Sequence, residues 1–241
     1  MRKAGNMQSI RPLCALAIGA SLAALMTGCG KEEVMYEPRE LPSAVKANLP
    51  APPSIPDRPL KAGEAYTVWG AAYNLRSRVH REEIDGKDIK LTGYITRTNL
   101  DKAPKCAVHE TGKEDPEGCN APVPTFWIAD TKDAPESEQI RVMGWASNFA
   151  QLYDAIKEYK KLERTDKTPD EPLADNFWGV PIPFPLPNAG AKVTVKGNYS
   201  NNFTKATRGA EADPIMGILT YESIEYMEKP EEPARLPGMR L

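Results

Sequence analysis

Six residues of this chain have side chains that often serve as nucleophiles or soft metal ligands: Cys14, Cys29, Cys106, Cys119, His80 and His109. Cys106, His109 and Cys119 fall within one short stretch. Read as a disulfide, the two cysteines close a loop whose constraint on the unfolded chain contributes about 3 kcal/mol. Read with His109, they offer a metal soft and borderline ligands. The spacing matches no zinc module, and Cys106-Ala107-Val108-His109 is not a haem attachment motif. Free thiols are the third reading. His80 lies in the basic cluster Arg76-Ser77-Arg78-Val79-His80-Arg81, which reads as a solvated face, and His109 lies in a polar loop. Any Ser-His or Cys-His arrangement would have to use one of these two. The chain carries no Gly-rich phosphate loop, nucleophile elbow or paired metal-binding helix motif. Glu82-Glu83 is an adjacent carboxylate pair that a strand would point to opposite faces; Glu231-Glu232 reads as solvated. The expectation is a protein without a catalytic set and without a cofactor.

Cys29 belongs to different chemistry. Arg2, Lys3 and Arg11 precede an apolar run from Leu13 to Met26 with no acid among them. A basic start, a short apolar core and small residues before a cut define a secretory signal, and the run is shorter than the roughly 20 residues of a membrane span. Leu25-Met26-Thr27-Gly28-Cys29 resembles the lipobox of bacterial lipoproteins, with Met26 where that family prefers Leu. The resemblance implies cleavage before Cys29 and lipid on its sulfur. Two or three acyl chains then give stable anchoring where one is marginal. Gly30 follows the cysteine where Asp is absent, a pattern that in enterobacterial lipoproteins goes with the outer membrane, so the expected location is the cell envelope, outer membrane facing the periplasm. Export also favours the disulfide reading of Cys106 and Cys119.

Composition narrows the partners. Residues 1–28 carry three of the 31 bases and none of the 33 acids, so the remainder holds 28 bases against 33 acids, a net charge of −5. Nucleic-acid binders normally show a basic surplus or face, so such a partner is not expected. Residues 29–62 read as a Pro-rich tether, too polar and proline-rich to order itself. Residues 228–241, with Pro230, Pro233 and Pro237, read as a tail with little order.

The folded part is expected over residues 63–227. Asp88–Thr98 alternates, with Ile89, Leu91, Gly93 and Ile95 on one face, and predicts a half-buried strand. Thr125–Asp130 and Gln139–Gly144 predict two more. The period then becomes helical from Phe149 to about Leu162, with Asn148 and Gln151 placed as a capping-box start. Strands return at Lys192–Tyr199 and at Gly217–Met227, where adjacent Ile218 and Leu219 leave the phase open and allow a bulge. Ala65–Ser77 is an extra strand or a helix.

The order strand, strand, strand, helix, strand, strand resembles the OB-fold, a five-stranded Greek-key barrel. Leu91-Thr92-Gly93-Tyr94-Ile95, Phe126-Trp127-Ile128-Ala129-Asp130 and Val193-Thr194-Val195-Lys196-Gly197 are similar to its first, second and fourth strands. The resemblance implies a mainly β fold in which a strand glycine permits sharp coiling. Two long insertions depart from the pattern, Leu100–Pro124 with both cysteines and Thr165–Ala189. Phe177-Trp178-Gly179-Val180-Pro181-Ile182-Pro183-Phe184-Pro185 in the latter reads as an apolar cover, or else as an exposed docking patch. OB barrels bind on the face of strands two and three with flanking loops, so Tyr94, Trp127, Met143, Trp145, Tyr199 and Phe203 are candidates for a ligand face. Asn198–Thr204 suits a sugar or peptide contact, or a hairpin tip. The function implied is a lipid-anchored, non-enzymatic binding domain for an envelope protein, a glycan or a small molecule. The alternative is a metal-binding or redox protein built on Cys106, His109 and Cys119. Fold alone does not choose among ligands.

Overall fold

The strand that begins the barrel shows why the chain closes on itself. In β3 (Lys87–Thr98) the odd residues Ile89, Leu91 and Ile95 are buried, while Thr92 and Tyr94 between them stay partly exposed. Gly93 sits where a Cβ would meet the Ala129 carbonyl oxygen at 2.5 Å, so only glycine lets β4 (Thr125–Ala129) approach this closely. β3 therefore bends, pairing antiparallel with β6 (Lys192–Ser200) along Lys87–Tyr94 and with β4 along Tyr94–Thr98. Gly197 makes the matching corner on β6, where a Cβ would stand 2.1 Å from the Thr220 carbonyl oxygen.

The computed structural model describes residues 50–51, 58–110, 114–165, 167, 169, 171–205 and 210–239. Cys29, the leader and most of the expected tether lie outside the described residues. The elements in chain order are β1 (Lys61–Ala62), β2 (Ala65–Thr67), α1 (Val68–Arg76), β3, β4, β5 (Ile140–Met143), α2 (Phe149–Arg164), β6, β7 (Asn202–Phe203), β8 (Glu211–Ala212) and β9 (Ile218–Glu228). The sheet order is β1-β2-β3-β4-β5-β9-β6, closed by the β3–β6 pairing, with β5 and β9 parallel. This is the expected mainly β, OB-fold-like barrel of five strands, with the helix between the third and fourth. The described residues from 58 to 239 fall in one compact unit.

Inside the barrel lie Phe126, Ile128, Ile140, Val142, Val193 and Val195, all fully buried, which at about 25 cal/mol per Å² is the main stabilising term. Helix α2 adds Phe149, Leu152, Ala155, Ile156 and Tyr159 to the same core, the spacing of one helical face. Asn148 Oδ1 accepts from the Gln151 amide at 3.0 Å, the cap expected from the sequence. The two adjacent apolars of β9 divide between cores. Leu219 joins the main core, and Ile218 joins a small second cluster with Met143 and Phe203. Register shifts against β6 leave Glu222 and Met227 as the extra residues, so the expected bulge is present twice.

Three expectations need correction or completion. Ala65–Ser77 is both alternatives in turn: β2 lies parallel to β3, and Thr67 Oγ1 then caps α1 by accepting from the Gly70 amide. The ordered part starts before residue 63, because the Thr67 amide and hydroxyl bond back to the Leu60 and Pro59 carbonyls and β1 follows. The segment after Glu228 is packed rather than loose: Ala234 and Leu236 are buried in the main core, and Asn188 donates to the Glu232 carbonyl. Proline makes such a strap cheap to fix because its φ is already set.

Candidate functional site

Tyr94 and Trp127 point outward from the barrel wall, and cations attend both. On β3, Tyr94 has the Lys192 ammonium 5.3 Å and the Lys132 ammonium 5.4 Å from its ring centre. Lys192 is its cross-strand neighbour on β6, and Lys132 comes from the turn after β4. One step along β3, after a bulge at Thr96, Arg97 faces Trp127 across the sheet with its guanidinium 4.0 Å over the indole. Trp127 in turn pairs in register with Arg141 on β5. The face of strands two and three thus carries the row Arg97, Trp127, Arg141. Both arginines are engaged within the molecule: Arg97 by Gln139 and Glu136, Arg141 by Glu211, Asp213 and the Ala212 carbonyl.

Beside Tyr94 the wall opens into a groove of about 680 Å³, within the size range of ligand sites. Its floor is the outer face of β3, β6 and β9, with Thr92, Gly93, Thr194 and Met227. Pro59, Ala62 and Ala65 form one bank, and Thr131, Ala134 and Glu138 the other. The acids beside it have internal partners. Asp130 accepts from the Val68 amide at 2.8 Å and the Trp69 amide at 2.9 Å, neutralising the positive end of α1. Glu138 pairs with Arg58 at 2.9 Å, tying the two banks together.

Four of the six sequence candidates do not belong to this surface. Trp145 is fully buried against Phe126, turned inward after Gly144 at positive φ. Tyr199 is fully buried and its hydroxyl donates to the Met216 carbonyl. The alternation of Val193, Val195 and Gly197 already puts Tyr199 on the inner face. Met143 and Phe203 do lie outside the main core, but Trp178 and Val123 cover them, with Trp178 edge-on to Phe203 at 6.0 Å. Trp178, Ile182 and Leu186 nearby pack inward as a cover, while Phe177 stays about half exposed. Lys132, Lys192, Arg97 and Arg141 are residues of this wall that the sequence pattern does not mark. For Lys192 the signal was its phase opposite Val193; for Arg97 the bulge hides it.

Cys106 and Cys119 form a disulfide. The two sulfurs are bonded to each other, so in this state neither offers the thiolate that a metal site with His109 would need. His80 lies on the surface with Nδ1 3.2 Å from Glu83 Oε1. The Asn198–Thr204 tract runs from the end of β6 through β7, and its Asn198, Ser200, Asn202 and Thr204 line a second groove of about 550 Å³ with Asp88, Lys205 and Glu222.

What the fold and these surfaces define is a class: an OB-fold-like barrel with a disulfide-closed insertion and an aromatic and cationic outer wall. No family model matches the chain, and no curated protein matches it.

Proposed function

We propose that this chain is an exported lipoprotein, held on the outer membrane facing the periplasm by lipid on Cys29, whose barrel binds an envelope protein, a glycan or a small molecule without catalysing a reaction. The observation that carries the binding part is the groove beside Tyr94, where a partly exposed aromatic, Lys192 and the exposed Met227 line one wall and Lys132 stands at the same ring. The disulfide fits an oxidising compartment. The anchor rests on Leu25-Met26-Thr27-Gly28-Cys29 and the leader before it.

Two measurements test the reading. Cys29→Ser should leave the exported protein unlipidated and free of sedimenting vesicles. A variant still processed normally and still sedimenting would end the anchor proposal. Amide exchange of the mature protein, with and without envelope extract, should show protection of β3, β4 or the banks of the groove. Unchanged exchange across the whole barrel would end the binding proposal.

A further inference from the structure

We infer that the groove beside Tyr94 takes an organic anion: a carboxylate or phosphate head group on an apolar body. This rests on the binding reading above and names its ligand class. Lys132 and Lys192 make no ion pair among the described residues, and their recorded contacts are to the Tyr94 ring. A ring face holds an ammonium in place without neutralising it, unlike a carboxylate. The two acids that line the groove are otherwise engaged: Asp130 with the first amides of α1, Glu138 with Arg58. Glu228 stands across from Lys192 in the β6–β9 register and forms no ion pair with it. Two positive charges therefore converge on one ring with no counter-charge bound to them.

The floor beside them is of the opposite character. Thr92 donates its hydroxyl proton to the Val193 carbonyl and Thr194 donates to Thr92, so both hydroxyls have internal partners. Met227 is 61% exposed over these threonines, an unusual setting for so large an apolar side chain. With Ala62, Ala65 and Ala134 on the banks, this floor suits an apolar body lying away from the two ammonium groups. A bare inorganic anion would leave that floor wet, and a cationic amphiphile would meet two like charges.

The full-length mature protein titrated calorimetrically with octanoate, octyl phosphate, octyltrimethylammonium and inorganic phosphate tests this. One or both octyl anions should bind at least tenfold tighter than the octyl cation and than inorganic phosphate, and the tighter of the two identifies the head group. Lys132→Gln/Lys192→Gln should weaken that binding tenfold or more and flatten its dependence on salt, whereas Lys102→Gln, in the insertion, should not. Equal binding of cation and anion, equal binding of inorganic phosphate, or no loss in the double variant would each overturn the inference. Absence of binding by all four probes would overturn it too. If envelope extract still protected the barrel from exchange, the binding role would stand without this ligand class.

Discussion

Asp175 shows how one carboxylate can hold an insertion to a barrel. It is 1% exposed, and its two oxygens accept four hydrogen bonds. Oδ2 takes the Ser147 amide and hydroxyl, both at 2.8 Å, just before α2; Oδ1 takes the Phe177 amide at 3.0 Å and the Trp178 amide at 2.8 Å. Every donor aims at a charged acceptor, the stronger class of hydrogen bond. Asp175→Ala would strand these donors, at a cost of about 3 kcal/mol or more. Asp175→Asn should lose much of the same amount, because its NH₂ would face donors on one side. Chemical denaturation of both variants checks the pair; an Asn variant as stable as the parent would mean that charge and acceptor count are unimportant here. Loosening of Trp178 over Met143 and Phe203 should accompany the loss and appear as a shift in tryptophan emission.

At the scale of elements, the helix cap and the strand corners lend themselves to separate tests. Asn148→Ala removes the acceptor of the Gln151 amide and should destabilise by about 1 kcal/mol. Gly197→Ala must push its methyl into the Thr220 backbone, costing about 1–3 kcal/mol as overpacking does, and more if the corner cannot open. Urea midpoints of the two variants should fall in that order, and a neutral Gly197→Ala would refute the close-approach argument. These elements were legible because local pattern and burial agree in them. Strand alternation in β3, β4 and β6, the helical period of α2 and its cap are all short-range signals, and the barrel followed from their order. What was not legible depends on distant chain. Met143 has the outward phase of β5 and is buried by distant chain, Phe203 and Ile218 beside it with Val123 and Trp178 from the two insertions. The row Arg97, Trp127, Arg141 depends on a bulge in β3 that shifts the register by one residue. Lys132 and Lys192 lie 60 positions apart in the sequence, and only barrel closure brings both to Tyr94. The strap after Glu228 reads as loose from composition, since two buried side chains, Ala234 and Leu236, are too few to make a pattern.

For the molecule as a whole, four tyrosines make the fold sensitive to alkali. Tyr159, Tyr199 and Tyr226 donate to the carbonyls of Ile182, Met216 and Pro185, holding the second insertion and the approach to β9. Burial pushes the Tyr159 phenol up to about 12, and raises Tyr199, Tyr221 and Tyr226 as well. The folded state therefore keeps protons that the unfolded chain releases near pH 10. Stability from these groups is fully present below pH 10 and drains as pH rises from there toward the folded values. Each phenol contributes a slope of up to about 1.4 kcal/mol per pH unit, so four together can remove a domain's usual 5–15 kcal/mol within a few units. The expected outcome is a cooperative loss of β-sheet circular dichroism above pH 10 that coincides with a late step in tyrosinate absorbance. Tyr159→Phe should cost about 1 kcal/mol at neutral pH through the unpaired Ile182 carbonyl, yet lower the alkaline slope by one phenol. If all the tyrosines ionise smoothly near pH 10 while the sheet signal stays intact, the phenols are not shielded by the barrel and its insertions in the way the packing requires.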